Sequence, residues 1–387
     1  MRILLSNISI VNSDTGIVFG DVFLEEGKIA AIGENLTHKA DILLDGSDKD
    51  WLLLPGFIDL HTHGSLGFDV MDATSEALSG MARSFPREGT TSFLAATITQ
   101  SEQAIMVALQ NVRNFESGES EAELLGVHLE GPFISPERAG AQPVGHIIEP
   151  SLKLFKEWQE ASGNRIELVT LAPERSGGTE FIKELTNSGV VVSIGHSDAT
   201  FEEVQEATEA GARHVTHLYN QMSPFHHRQP GVVGAALLND NLTVELIADF
   251  IHSHEQSVRL AYQQKGAERL ILITDAMRAK GLPPGTYDLG GQHVEVDEKA
   301  ARLSNGRLAG SMLTMTQAAK NIRSVTNCSP AELVAMTSAN AARQLGLPHK
   351  GRIEIGCDAD LVIVDKDLNV VMTFCRGNLA YEREGSK

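Results

Sequence analysis

The sequence predicts an α/β fold: a (β/α)8 TIM barrel carrying a small β-sandwich domain formed by both chain ends. Three observations predict it. The middle of the chain alternates short apolar runs with amphipathic helical patterns, the signature of βα units wound on a parallel sheet. Eight such runs occur over roughly 290 residues, a size that suits this barrel. Both ends of the chain read as strands and turns without helical periodicity.

Residues 1–53 alternate apolar and β-branched positions between turn signals such as Asp14-Thr15-Gly16 and Glu26-Gly27. The eight barrel strands are expected at 57–60, 91–97, 124–129, 166–171, 190–195, 213–217, 243–248 and 270–274. Helix ends are marked between them. Thr200 with Glu203, and Ser329 with Glu332, fit the capping box, while Gly189, Gly211 and Gly346 stand where helices close. The last forty residues return to strand patterns, Gly351 to Gly356 and then Asp360 to Asp365. The expected division is therefore a composite β domain from 1–53 plus 348–387, and a catalytic barrel over 54–347. A doubly wound open sheet would place GxGxxG after its first strand, and that motif is absent there.

Composition narrows the function. The formal charge is 32 − 51 = −19, which repels nucleic acid and anionic membrane surfaces alike, so neither is expected as a partner. No uncharged apolar stretch approaches the ~20 residues of a membrane span. Ser6 and Asn7 interrupt the only apolar run near the start, so no leader peptide is expected. Cys328, Cys357 and Cys375 lack CxxC spacing, which predicts neither a disulfide framework nor a thiolate metal site. A cytoplasmic location follows as the expectation.

In such barrels the active site lies at the carboxyl ends of the strands. The first run ends Asp59-Leu60-His61-Thr62-His63, and the third ends His128-Leu129-Glu130. The fifth ends Gly195-His196, the sixth Thr216-His217, and the eighth Thr274-Asp275. Metal-ligand types thus finish five of the eight runs. Strand side chains alternate with period two, so His61 and His63 point the same way and can grip one ion together. Glu130, His196 and His217 can converge on that ion or on a neighbour. Imidazole nitrogen and carboxylate oxygen suit zinc, iron, manganese or cobalt. Asp275 is then placed to take and return protons.

His214, three residues before His217, is expected to face the other side of its strand. His128 shares parity with Glu130, and both support of the metal ligands and plain core hydrogen bonding remain open for it. A second HxH pair, His252-Ser253-His254, is set apart from its strand by Asp249-Phe250-Ile251, which leaves His252 for a substrate. The cationic cluster His226-His227-Arg228 suggests an anionic substrate group, since arginine forks onto phosphate. Gly310-Ser311-Met312-Leu313 precedes a helix and offers backbone groups to a ligand.

The stretches PGFIDLHTHG, GVHLEGPF, VSIGHSDAT, VTHLYNQM, LITDAM and GRLAGSMLTM resemble the N-acetylglucosamine-6-phosphate deacetylases of the amidohydrolase superfamily, over nearly the whole chain. The resemblance implies a barrel beside a small β-sandwich, a homodimer, and hydrolysis of the acetamide of N-acetylglucosamine 6-phosphate. It assigns Glu130, His196 and His217 as principal metal ligands and Asp275 as the catalytic aspartate. It puts Ala141, Gln142, Asn220, Gln221, Arg228, Asp249, His252, Leu308, Ala309 and Gly310 against the sugar phosphate. Some relatives carry a histidine where Gln142 stands. Arg228 is implied to reach the neighbouring subunit's phosphate. Members differ in holding one or two divalent ions, and the retained His61 and His63 resemble the two-metal members. Two other readings stand beside this one: an amidohydrolase acting on an N-acyl amino acid or cyclic amide, and a non-catalytic scaffold, whose usual sign would be missing ligands.

Overall fold

The computed structural model describes residues 1–385. Eight strands, Phe57–Thr62, Thr90–Thr97, Glu123–Glu130, Ile166–Leu171, Val191–Ile194, His214–Val215, Thr243–Ile247 and Leu270–Ile273, stand side by side in chain order. Each neighbouring pair is parallel. They coincide with the eight expected runs. The barrel closes at its carboxyl rim, where the Asp275 amide donates to His61 O at 2.8 Å and Thr62 bridges Ala276.

A helix follows every strand and covers the outside, so the strands are buried on both faces. Leu270–Ile273 is buried throughout, as its unbroken apolar sequence requires. On the outer layer Phe133 meets Phe181 edge to face at 5.0 Å, packing one helix onto the barrel wall. Both expected capping boxes form, at Thr200/Glu203 and Ser329/Glu332. Gly189 and Gly346 take φ values of 87° and 65° just past their helices, a conformation that penalises any side chain.

The two chain ends build one sheet. Five strands between Arg2 and Pro55 are joined by Leu361–Val364, Val370–Cys375 and Asn378–Glu382. The seam is antiparallel, Leu52–Pro55 against Leu361–Val364. Ile3, Leu5, Ile29, Leu361 and Phe374 give this sheet its own core. Buried Lys350 ties it to the barrel, reaching Asp360 at 2.6 Å, Asp358 at 3.1 Å and, at 2.7 Å, Glu123, which opens the third barrel strand.

A small sheet beside the barrel mouth was not expected from sequence. Between the eighth strand and its helix, Gly285–Leu289, Gln292–Val296 and Ala301–Leu303 form a small antiparallel sheet. It packs Leu289, Val294 and Val296 onto Ile98 and Met277, beside the barrel mouth.

Candidate active site

Strand one delivers His61 from its last turn of pleat and His63 just beyond it, and their rings meet the Glu130 carboxylate from strand three. His61 Nε2 lies 3.3 Å from Glu130 Oε1, and His63 Nε2 lies 3.3 Å from Oε2. From strands five and six, His196 and His217 each bring Nε2 within 3.2 Å of Glu130 Oε1. Asp275 closes the ring with Oδ1 3.2 Å from His63 Nε2 and 3.6 Å from His61 Nε2. All six strand-end residues singled out in the sequence therefore converge.

The strand ends turn sharply to achieve this. His196, His217 and Asp275 have φ of 45°, 26° and 49°, left-handed values that cost a non-glycine residue about 1–3 kcal/mol each. Strain of this kind persists where surrounding structure over-determines it, and here it coincides with the converging ligand atoms.

The donor set fits a divalent metal. His61 Nδ1 faces Glu245 Oε2 at 3.1 Å, His63 Nδ1 faces Ala96 O at 3.1 Å, and His196 Nδ1 faces Arg138 O at 3.0 Å. These oxygens only accept, so each Nδ1 carries a hydrogen and each Nε2 faces the centre, where loss of its proton to a metal would free a lone pair. His61 Nε2 is buried without a hydrogen-bond partner, and His196 Nε2 faces His217 Nε2 at 3.1 Å. Ligands held about 2.0–2.1 Å from a tetrahedral ion stand roughly 3.4 Å apart, close to the spacings found around Glu130.

Charge tells the same story. Burial would raise the Glu130 carboxyl, but the His61 charge and hydrogen bonds from His196 and His217 hold it well below the usual range. Burial would lower the His63 imidazole, yet the Asp275 and Glu130 carboxylates hold it up at about 10. The cluster is thus an anionic pocket that demands positive charge.

A cavity opens above these side chains. Ala141, Gln142, Asn220, Gln221, His252, Leu308 and Gly310 line it, together with Ile98, Leu289 and Arg307. Ala309 is buried behind the wall. Asp249 holds His252 in place, accepting from Nδ1 at 2.7 Å and from its backbone amide at 2.8 Å. His254 instead caps the helix Glu255–Lys265, so the second HxH pair is split between two tasks. Arg228 lies on an exposed loop outside this chain's cavity, with Nη1 2.8 Å from His227 Nε2. Gln142 gives its amide to Glu130 at 2.6 Å.

Two expectations need correction or resolution. His214 does not face away: its Nε2 meets Glu245 Oε1 at 3.0 Å inside the barrel, because the strand ends at Val215 and period-two parity does not carry on to His217. His128 bonds to Leu60 O at 3.2 Å and Thr170 Oγ1 at 2.7 Å, and burial, with the His61 charge, pushes it down to about 3. It is a neutral core residue. Glu245 and Arg307 were missed. Glu245 sits mid-strand in an apolar run, where a lone carboxylate was itself the signal.

The amidohydrolase family model matches residues 52–380. The chain is 52% identical to N-acetylglucosamine-6-phosphate deacetylase of Lysinibacillus sphaericus, over 98% of each chain. It is 48% identical to the enzyme of the same name from Bacillus subtilis, over 98% of this chain and 97% of that one. The solved N-acetylglucosamine-6-phosphate deacetylase of Thermotoga maritima superposes with a TM-score of 0.89 at 38% identity, covering 98% of this chain and 100% of the other. This chain belongs to the amidohydrolase family and, within it, to the N-acetylglucosamine-6-phosphate deacetylases.

Proposed function

We propose that the protein hydrolyses the acetamide of N-acetylglucosamine 6-phosphate, releasing glucosamine 6-phosphate and acetate. The observation that carries this is the convergence of Glu130, His196, His217, His61 and His63 beside Asp275 on the floor of one cavity, in a chain of that family. A divalent ion bound there supplies Lewis acidity and lowers the pKa of water toward ~7. Glu130 turns Oε1 to His61, His196 and His217 and Oε2 to His63, so these five residues would hold one or two divalent ions. Zinc, iron, manganese and cobalt suit these donors.

Asp275 performs the proton work. Burial would raise its carboxyl, but the His61 charge and the His63 hydrogen bond hold it below the usual value, so it is ionised at neutral pH. It takes the proton of the attacking water, then passes it to the amide nitrogen as the carbon–nitrogen bond breaks. The acetyl group leaves with the water oxygen as acetate. Asn220, Gln221, His252 and Arg307 offer polar contacts to the sugar along the cavity wall, and Asp249 keeps the His252 ring oriented.

The phosphate falls to Arg228 of a neighbouring subunit in a homodimer. Phe225, three residues before Arg228, is 59% exposed and borders an apolar hollow with Leu238, 62% exposed, and Leu260, the kind of surface that marks an interface. The cytoplasm suits three buried, unpaired cysteines. The test is acetate release from N-acetylglucosamine 6-phosphate against the unphosphorylated sugar. A strong preference for the phosphorylated form is expected; equal rates would return the assignment to another amidohydrolase substrate.

A further inference from the structure

Barrel interiors are filled by apolar layers, yet strand seven puts Glu245 there with 0% exposure. A buried carboxylate is costly unless its oxygens are answered. Oε2 accepts from His61 Nδ1 at 3.1 Å and from the His217 amide at 3.3 Å, and Oε1 accepts from His214 Nε2 at 3.0 Å. Its ion pairs are with His61 and His214 alone among the described residues. Every contact lands on a strand that carries a ligand of the candidate metal centre. The two histidines of strand one are also treated differently. His63 gives its Nδ1 hydrogen to the neutral Ala96 carbonyl, whereas His61 gives its own to a carboxylate. A carboxylate partner fixes the tautomer and makes the opposite nitrogen a stronger donor.

We infer that Glu245 is a positioning residue of the metal centre: by holding His61 with Nε2 toward Glu130 and Asp275, it sets how tightly the strand-one ion is bound. His214 answers the second Glu245 oxygen, so the carboxylate cannot rotate away from His61. The inference rests on the metal centre proposed above.

Glu245→Gln keeps shape and one accepting oxygen but removes the charge; Glu245→Leu removes both. Each purified holoprotein is equilibrated with cobalt at defined free concentrations, and bound metal and the visible spectrum are measured. Glu245→Gln should bind one ion about 10 to 100-fold more weakly, with an altered cobalt spectrum and a lower kcat at little-changed KM. If Glu245→Leu does not fold, the near-isosteric Gln variant still decides. In a His61→Ala background the added Glu245→Gln change should alter cobalt affinity by no more than about twofold, because the ring it orients is gone. Wild-type affinity and spectrum in Glu245→Gln would overturn the inference, as would an equal loss with and without His61. Wild-type protein that binds no cobalt would instead overturn the metal centre itself.

Discussion

Gln142 donates from Nε2 to Glu130 Oε2 at 2.6 Å while its Oε1 accepts the Thr99 amide at 2.6 Å. One face of the side-chain amide meets an acceptor and the other a donor, so only one orientation satisfies both. The sequence resemblance places this residue against the sugar. The geometry gives it a second task, fixing the carboxylate around which four histidines gather. Gln142→Ala leaves the Thr99 amide without its acceptor and removes one of the donors at Glu130 Oε2, at a cost of about 1–3 kcal/mol. Urea unfolding should show that loss, and steady-state kinetics should show kcat falling more than KM rises. A tenfold rise in KM with unchanged kcat and stability would leave Gln142 a substrate contact only.

The Asp275 carboxylate lines the cavity and lies against the strand-one histidines, 3.2 Å from His63 Nε2 and 3.6 Å from His61 Nε2. Asp275→Asn keeps its size and removes its basicity. A loss of about 10²–10⁴-fold in kcat is expected for a general acid–base residue, with bound metal largely retained. Metal analysis beside the assay distinguishes this from collapse of the site. Near wild-type turnover would assign proton transfer elsewhere.

Arg228 lies outside its own chain's cavity, which makes its role a question of which subunit it serves. A charged hydrogen bond contributes roughly 1.5–3 kcal/mol, so Arg228→Ala should lower kcat/KM for the phosphorylated sugar about 10 to 100-fold. It should leave the unphosphorylated sugar nearly untouched. Mixing inactive Asp275→Asn subunits with Arg228→Ala subunits and allowing exchange then separates the possibilities. An arginine acting across the interface restores activity in the mixed dimer, because one site regains both groups. No restoration after demonstrated exchange would place the arginine in its own site.

The barrel strands and the residues that converge at their ends were legible because they obey short-range rules. Leu270–Ile273 is apolar without a break, and His61 and His63 share a face by strand parity. Glu245 was not legible as a partner, because the groups that answer it arrive from strands one and six. His214 misled because a two-residue strand gives parity nothing to run on. The small sheet over 285–303 did leave a signal: Gly290 and Gly291 take φ of 58° and 78°, the two-residue hairpin turn that adjacent glycines favour.

Lys350 supplies a test of how the two sheets are held together. Burial would lower its pKa, but Asp360 and Glu123 raise it, so it remains a cation between the barrel and the terminal sheet. Lys350→Met leaves the buried Asp360 carboxylate without its cation and should destabilise by about 3–5 kcal/mol. Thermal melting should register this, with little change in KM. An unchanged melting temperature would show that the apolar contacts alone hold the sheets.

One measurement reaches the metal-dependent deacetylation directly: acetate released from N-acetylglucosamine 6-phosphate by protein whose metal content is determined in the same sample. Stripping with a chelator should abolish release in proportion to metal lost, and adding back zinc, iron, manganese or cobalt should restore it. Glu130→Ala should lose metal and activity together and not be rescued. Full acetate release from demonstrably metal-free protein would contradict the account.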